Sequence, residues 1–199
     1  MTLTGPSALA DLTFAIPADW FAIRLPREQV AADELAADLA ARLPGTGESA
    51  KMLQVLASNL VEACAALDVL CGYATILSVP GGLLPASMVV STWPAGGKTL
   101  EEIGAGLAPA QGAPAAPPAL VTLPAGPAAR IERLREWGGA PDSRHSVSLI
   151  VQYVIQVPGT SQVVLLTFST PAMALAARLR LLFHGMACTM RFREQGPGR

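Results

Sequence analysis

The chain contains few of the residues on which catalytic and metal sites depend. Its 199 residues include two histidines and three cysteines, and aromatic residues make up 5% of the total. The sequence has no Cys-x-x-Cys or His-x-x-x-His spacing of the kind that zinc sites use, and no Gly-x-Ser-x-Gly string marks an exposed serine nucleophile. We therefore predict no metal, no cofactor and no catalytic residue, and we favour a protein that is not an enzyme.

Charge of either sign is also scarce. Charged residues account for 15% of the chain and the formal net charge is −1, so no strong field is present that would attract a nucleic acid. Every long apolar run is interrupted before the ~18 residues that a bilayer crossing needs. The first residues lack the basic and apolar segments of an export signal. These features predict a cytoplasmic protein with no nucleic-acid partner and no membrane insertion.

Apolar residues, by contrast, are abundant. They make up 51% of the chain, with a mean hydropathy of +0.42, which is enough for one core, so residues 1–199 are predicted to form a single domain. Residues 108–118 are rich in Pro and Ala and are expected to form a surface loop. Lysine occurs only at Lys51 and Lys98 while Ala, Gly, Pro and Arg are common, a bias typical of a GC-rich genome such as an actinobacterium's.

The C-terminal third predicts an antiparallel hairpin followed by a helix. Residues 147–157 alternate between apolar and polar types, and a Pro-Gly-Thr-Ser turn leads into a fully apolar strand at residues 162–168. Thr170 is expected to cap a helix that begins at Pro171, and residues 188–192 to form a short strand. The residues expected on the core face are Val147, Leu149, Val151, Tyr153 and Ile155 of the strand, and Leu175, Leu179, Leu182 and Met186 of the helix. Those expected to face solvent are Ser148, Gln152, Gln156, Arg178 and Arg180.

The rest of the chain predicts further strands and three helices. Apolar residues recur at helical spacing in two segments, and β-branched residues flank turn signals in two others. Residues 128–137 fit either a helix or a hairpin strand, and we favour a strand. The predicted elements are a hairpin or pair of short strands at residues 12–16 and 20–25, helices at 26–43, 48–70 and 99–107, and strands at 73–79, 85–93, 120–123 and 128–137.

These elements indicate an α+β fold. We expect a largely antiparallel β-sheet of about seven to nine strands, packed by helices on both faces or mainly on one.

The string Gly96-Gly97-Lys98-Thr99 is the most motif-like in the chain, because it follows a strand and opens a helix, as a phosphate-binding P-loop does. The P-loop pattern also requires an earlier glycine, and Thr92 occupies that position. Thr99 and Glu102 match the Thr-x-x-Glu capping box of a helix start. We expect a capped helix here and no nucleotide site.

The histidines and cysteines have structural interpretations. His145 is expected in a loop, and His184 is expected to be a hydrogen-bonded core or boundary residue of the last helix. An odd number of cysteines in a cytoplasmic chain predicts free thiols. Cys64 and Cys71 would lie ~10 Å apart on one continuous helix, which is too far for a disulfide.

The remaining candidate site residues are the acidic pairs and the tryptophans. Glu101-Glu102 and Asp33-Glu34 are expected to face water near helix ends, where they favour helix stability over acid/base chemistry. The tryptophans fall at predicted strand ends, where an aromatic ring can either pack in the core or contact a partner. They are Trp20, Trp93 and Trp137.

Two short segments carry a family resemblance. Phe14-Ala-Ile-Pro-Ala-Asp-Trp20 and Val164-Leu-Leu-Thr-Phe-Ser-Thr-Pro171, with the element order, resemble the Mog/PsbP-like family. That family includes a nuclear-import factor that binds a small GTPase, the PsbP subunit of photosystem II, and DcrB-type and LpqN-type bacterial envelope proteins. The resemblance implies an α/β/α sandwich and a non-catalytic binding or adaptor role, with one bacterial branch similar to chaperones for secreted effectors.

Two functions remain open from the sequence. The first is a non-enzymatic binding or adaptor protein with a protein partner, for which an exposed apolar patch or sheet edge would be typical. The alternative is a small-molecule binder or small enzyme, with a pocket between the long helix and the sheet. The high apolar content predicts a two-fold homodimer, although alanine can raise that content without forming a patch. The expected dimer contacts are residues 73–79 or the ridge of Leu35, Leu39 and Leu43.

Overall fold

The computed structural model describes residues 2–3, 12–23, 32–41, 48–64, 68–79, 82–107, 117–137 and 146–192. Within these ranges the helices are α1 (Ala32–Ala41), α2 (Glu48–Cys64), α3 (Leu100–Leu107) and α4 (Ala176–Cys188), and a 3-10 turn at Met173–Leu175 precedes α4. The strands are β1 (Thr2–Leu3), β2 (Leu12–Thr13), β3 (Phe21–Ile23), β4 (Asp68–Val79), β5 (Gly82–Pro94), β6 (Ala119–Leu123), β7 (Gly126–Trp137), β8 (Ser146–Gln156), β9 (Gln162–Thr170) and β10 (Arg191–Phe192).

A seven-stranded antiparallel sheet forms the centre of the fold. Its strand order is β3-β4-β5-β9-β8-β7-β6, and every neighbouring pair is antiparallel. A second, three-stranded sheet has the order β1-β2-β10. The predicted α+β class with a largely antiparallel sheet is therefore confirmed.

The large sheet has covered surfaces on both sides. On one side α4 and the three-stranded sheet share an apolar cluster with the sheet, in which Phe183 of α4 and Leu12 of β2 pack with Tyr153 of β8. On the other side α1 and α2 pack on Val89 of β5, and α3 packs beside them on Ile131 of β7. The central strands are therefore buried on both faces, which explains why β9 is apolar throughout.

Burial on both faces corrects one expectation for β8. The alternation of residues along the strand is as predicted, with Leu149, Val151 and Tyr153 in the cluster that contains α4. The opposite face, however, is covered by the other helix layer, so Ser148 and Gln152 are buried and do not face solvent. Polar residues on this face are consequently part of the interior.

The N-terminal segment forms the pair of short strands that was one of the two expected arrangements, and not a hairpin. Strand β2 pairs with β1 and β10 in the small sheet, whereas β3 pairs with β4 in the large one. A turn does form between them, where Trp20 N donates to Pro17 O at 3.0 Å, but it passes the chain from one sheet to the other. Trp20 is buried in the core beneath this crossing.

The predicted end of the long helix is also wrong. Helix α2 ends at Cys64, and residues 68–70, expected to be helical, begin β4. Pairing explains the difference, because Asp68 and Val69 lie opposite Thr92 and Ser91 of β5. The stabilisation from this long-range strand pairing exceeds the local preference for a helix, whose apolar pattern extends only one turn further. Cys71 therefore lies in a strand, and the expected spacing of Cys64 and Cys71 along one helix does not apply.

The first helix is described at residues 32–41, and the expected positions 26–31 and 42–43 lie outside the described ranges.

The last helix begins later than predicted. Thr170 is the final residue of β9; its hydroxyl donates to Pro85 O at 2.7 Å and accepts from Ala172 N at 3.0 Å. The buried stripe of α4 contains Leu179 and Met186 as expected, but Phe183 occupies the central position and Leu182 is exposed. The short terminal strand is Arg191–Phe192, since Cys188 still belongs to α4.

Several other elements match the prediction. The strands expected at residues 73–79 and 85–93 form the longer pair β4 and β5, joined by eleven residue pairs with one register shift between Val69 and Cys71. The ambiguous residues 128–137 are strand, paired with β8 along their length. Thr99 N donates to Glu102 Oε2 at 2.7 Å and Glu102 N donates to Thr99 Oγ1 at 3.2 Å, which is the predicted capping box.

Candidate functional site

A cavity of about 250 Å³ lies on the helix-covered face of the large sheet, between α2, the end of α3 and the strands beneath them. It occupies the space between two apolar clusters, one formed with α1 and α2 and the other with α3. Its volume is close to the lower limit of small-molecule sites. The location is the one expected for a pocket between the long helix and the sheet.

Two strands, β8 and β9, supply the floor of the cavity. Side chains at alternate positions share one face of a sheet, so Ile150 and Gln152 of β8 lie beside Leu165, Thr167 and Ser169 of β9, and all five line the cavity. The register of the sheet aligns them, with Gln152 opposite Thr167 and Ile150 opposite Ser169. The floor is therefore built on rigid, paired backbone.

The remaining lining side chains come from the elements around this floor. Trp93 from β5 and Leu107 from α3 add apolar surface, Asn59 and Glu62 from α2 form the opposite wall, and Arg133 extends from β7. Arg133 lies opposite Ile150 in the β7–β8 ladder. One arginine and two side-chain amides thus converge on an otherwise largely apolar space.

Hydroxyl partners hold both amides in place. Asn59 Nδ2 donates to Ser148 Oγ at 3.1 Å, and Gln152 Nε2 donates to Thr167 Oγ1 at 3.2 Å. A third polar pair, Ser87 and Ser169, joins hydroxyls across β5 and β9 at 2.6 Å. The polar interior of this face is therefore organised into specific pairs.

Three polar atoms at the cavity have no protein partner. Of the five buried side-chain polar atoms that lack a hydrogen bond in the described part of the chain, Asn59 Oδ1, Gln152 Oε1 and Arg133 Nε belong to lining residues. Asn59 and Gln152 are only 4% and 5% exposed. Nearly all buried polar groups in folded proteins are hydrogen-bonded, and each unpaired group costs ~1–3 kcal/mol. Their clustering at one cavity is what a binding site requires.

The charge balance at the cavity is positive. Glu62 forms an ion pair with Arg135, whereas Arg133 forms no ion pair with any acid in the described ranges. The neighbouring Glu132 points to the opposite face of β7, where it binds Arg130 and Arg180. Burial lowers the pKa of the Arg133 guanidinium, as expected for a desolvated cation without a counter-charge.

The predicted site residues are mostly elsewhere. Trp93 lines the cavity, but Trp20 is buried in the core on the far side of the sheet, and the side chain of Trp137 is outside the described part. His184 Nδ1 lies 3.2 Å from the Tyr153 hydroxyl, and its Nε2 lies 3.6 Å from Cys188 Sγ. The hydrogen bonding of His184 is as expected, but its side chain is exposed and does not lie in the core or at its boundary. Residue 145 is outside the described ranges.

The described members of the acidic pairs and the described thiols do not line the cavity. Glu34, Glu101 and Glu102 are exposed, as expected, and the Asp33 side chain lies outside the described part. Cys71 and Cys188 are free thiols, as expected, and the Cys64 side chain is not among those described. Gly96 and Gly97 form a turn with φ angles of 61° and 77° before the capped helix α3. None of these described acidic and thiol side chains is among the residues that line the cavity.

The cavity polar residues themselves were not identified from the sequence. Gln152 was expected to face solvent, Arg133 lies in the segment that fits helix and strand equally well, and Asn59 interrupts the apolar stripe between Leu56 and Leu60. The position of Asn59 in the sequence does indicate a buried polar contact, because a side-chain amide next to the apolar stripe of a helix requires a buried hydrogen-bond partner. Which residue would be that partner depended on the sheet register.

No protein-family model matches the chain, and no curated protein matches it significantly. Among the described residues, no group of three or more His, Cys, Asp or Glu side chains is placed to hold a metal ion. None of the described helices combines the length and apolar character needed to span a bilayer.

Proposed function

We propose that this protein binds a small polar molecule in the cavity between α2, α3 and the large sheet, and that it acts by binding and not by catalysis. The observation that carries the proposal is the convergence of Asn59 Oδ1, Gln152 Oε1 and Arg133 Nε, unpaired within the described part of the chain, on one cavity. A ligand with matching polar groups would satisfy all three at once.

The rest of the lining supports binding over chemistry. Nucleophilic catalysis needs an activated side chain next to a base, and the hydroxyls at this floor are paired with an amide or with each other. The lining carboxylate, Glu62, is paired with Arg135. The polar groups at the cavity are thus suited to recognition, and the apolar walls to excluding water.

An adaptor surface has less support. The large exposed apolar side chains of the described part are Leu120, Leu134, Leu181 and Leu182. By strand alternation, Leu120 of β6 faces the α3 side of the sheet and Leu134 of β7 faces the α4 side. Leu181 and Leu182 belong to α4, so three of the four leucines lie on the side of Leu134 and Leu120 lies on the other side; none of the four lines the cavity.

The Mog/PsbP-like resemblance supports the same proposal in its general form, because members of that family are typically binding proteins without catalytic activity. It remains a prediction about ancestry, as do the cytoplasmic location and the bacterial origin. The ligand-binding proposal depends on the cavity alone and would stand without the family.

The two-fold homodimer also remains a prediction, but its expected contacts change. Leu35 and Leu39 of α1 are buried against α2, so they are not available to a second copy. Strand β3 pairs with residues 72–74 of β4, so within the described part residues 75–79 have a paired strand, β5, on one side. Of the expected contacts, the segment 73–79 is therefore the one that stays a prediction.

Ligand-observed NMR tests the proposal. Saturation transfer would be measured on a panel of polar metabolites of up to about ten non-hydrogen atoms, which suits a site of this size. The Ala63→Phe variant places a ring at the cavity wall and should abolish transfer, whereas Ala37→Phe on the exposed surface of α1 should not. If no member of the panel shows transfer that Ala63→Phe removes, the proposal is wrong.

A further inference from the structure

We infer that the ligand is a small hydroxylated carboxylate, a short-chain hydroxy acid, held by Arg133 at its carboxylate and by Asn59 and Gln152 at its hydroxyl. This inference rests on the proposed binding function of the cavity and specifies the chemistry of what binds there. It depends on three properties of the site: charge, hydrogen-bonding direction and size.

The charge of the site selects an anion. Among the described lining residues Arg133 is the cation and Glu62 the acid, and the charge of Glu62 is already compensated by Arg135. A desolvated guanidinium gains most from an anionic partner, and its planar donors match the two oxygens of a carboxylate. A neutral or cationic ligand would leave the Arg133 charge uncompensated inside the cavity.

The two amides select a hydroxyl. With their nitrogens bonded to Ser148 and Thr167, the cavity-lining residues Asn59 and Gln152 each keep a buried acceptor oxygen that has no hydrogen bond within the described part of the chain. A hydroxyl both donates and accepts hydrogen bonds. Either amide can therefore rotate so that its oxygen and nitrogen exchange places, and it still finds matching groups in the ligand hydroxyl and in its serine or threonine partner. An ammonium group only donates, and would add a second buried cation beside Arg133. The site therefore matches a hydroxy acid better than an amino acid.

The size and the walls limit the carbon skeleton. A volume of about 250 Å³ corresponds to roughly eight water molecules at their liquid volume, which suits a ligand of few heavy atoms. Ile150 and Leu165 on the floor and Leu107 at the wall offer apolar contact to a short carbon chain. Large anions such as nucleotides exceed this space.

Matched small probes test the inference. Lactate, glycerate and malate would be titrated in the millimolar range and compared with lactamide, which lacks the charge, propionate, which lacks the hydroxyl, and alanine, which replaces hydroxyl by ammonium. We expect at least one hydroxy acid to bind at least about tenfold more tightly than its matched analogues. Isothermal calorimetry and the Trp93 fluorescence would report binding.

Variants connect each preference to its residue. Arg133→Met should remove the preference for lactate over lactamide, and Asn59→Leu should reduce the preference for lactate over propionate. Arg178→Met, on the exposed surface of α4, is the matched control and should change neither.

The outcomes separate this inference from the proposed function. Equal or tighter binding of lactamide, propionate or alanine would overturn the hydroxy-acid inference and leave the binding cavity in place. A preference for hydroxy acids that survives Arg133→Met would also overturn it. Binding of none of these probes, charged or neutral, together with no hit in the metabolite panel, would contradict the binding function itself.

Discussion

Gln152 and Thr167 face each other across β8 and β9, and the amide of Gln152 donates to the Thr167 hydroxyl at 3.2 Å while its own oxygen stays buried and unpaired. A structural polar pair would be expected to satisfy both ends of the amide. This arrangement instead keeps one end available at the cavity, at a cost in stability. Such a cost is typical of functional sites, which often reduce stability in favour of binding.

The double variant Gln152→Met/Thr167→Val tests this trade-off. Replacing both partners by apolar residues of similar shape removes the unpaired oxygen together with its hydrogen bond, a change that is nearly neutral or stabilising. We expect urea denaturation to give a free energy of unfolding equal to or above that of the parent, with loss of ligand binding. A loss of stability above about 2 kcal/mol would mean that the pair serves mainly to hold the sheet together.

Gly104 of α3 provides a second test, because a side chain there would meet the chain beneath it. A Cβ at this position would lie 2.9 Å from Pro118 Cβ and 3.4 Å from Ala129 Cβ, whereas a Cβ at Gly106 would meet nothing within 4 Å. Gly106→Ala should therefore stabilise the protein by up to ~1 kcal/mol through helix propensity. Gly104→Ala should lose that gain to overpacking, which costs ~1–3 kcal/mol.

The measurement compares the free energies of unfolding of these two variants. Equal stabilisation in urea denaturation would show that α3 does not pack closely on Pro118. Because Leu107 of α3 lines the cavity, a shift of the helix in Gly104→Ala should also weaken ligand binding, whereas Gly106→Ala should leave it unchanged.

The core position of α2 is tested at Leu60. Its side chain is fully buried between α1 and the large sheet, so Leu60→Asp would place a carboxylate without a partner in the interior. The cost of several kcal/mol is a large part of a typical total stability of ~5–15 kcal/mol. We expect aggregation or unfolding, detected by circular dichroism. Lys51→Asp, on the exposed surface of the same helix, should fold normally; equal behaviour of the two variants would place α2 outside the core.

The Cys71 thiol should make the protein sensitive to alkaline pH. Burial raises the pKa of this thiol from 9.0 to about 12, an effect that a hydrogen bond with Tyr73 only partly offsets. The folded chain therefore keeps the proton at pH values where the unfolded chain releases it. The resulting stability is fully present below pH 9 and is lost as the pH rises from 9 towards 12, with a slope of up to ~1.4 kcal/mol per pH unit.

Unfolding measured between pH 8 and pH 11 checks this dependence. Cys71→Ala should flatten the decline, whereas Cys188→Ala, which removes the other described free thiol, should preserve it. A decline that is the same in the parent and in Cys71→Ala would show that the thiol does not titrate in this way.

The periodic elements of the fold were accessible from the sequence. The alternation of β8, the apolar β9 and the Thr99–Glu102 capping box depend on neighbours within a few residues, and all three are found in the structure. Local patterns of this kind are kept in the folded protein because no tertiary contact opposes them.

Features that depend on distant partners were not accessible. Residues 68–70 continue a helical pattern, yet they pair with β5, and β2 and β3 join different sheets although one turn connects them. The polar residues of the cavity were missed for the same reason. Whether Gln152 is a surface or an interior residue depends on α2 and α3, which cover its face of the sheet, and no residue near Gln152 in the sequence contains that information.

The guanidinium of Arg133 offers the most direct test of the binding cavity. Its Nε–H group has a distinct signal in ¹H–¹⁵N NMR spectra, which the Arg133→Met variant would assign by its disappearance. Titration with the tightest-binding member of the probe panel should shift this signal in a saturable manner, while the Nε–H signal of the exposed Arg178 stays unchanged. An Arg133 signal that responds to no probe, or that moves only together with Arg178, would contradict the claim that this cavity is the binding site.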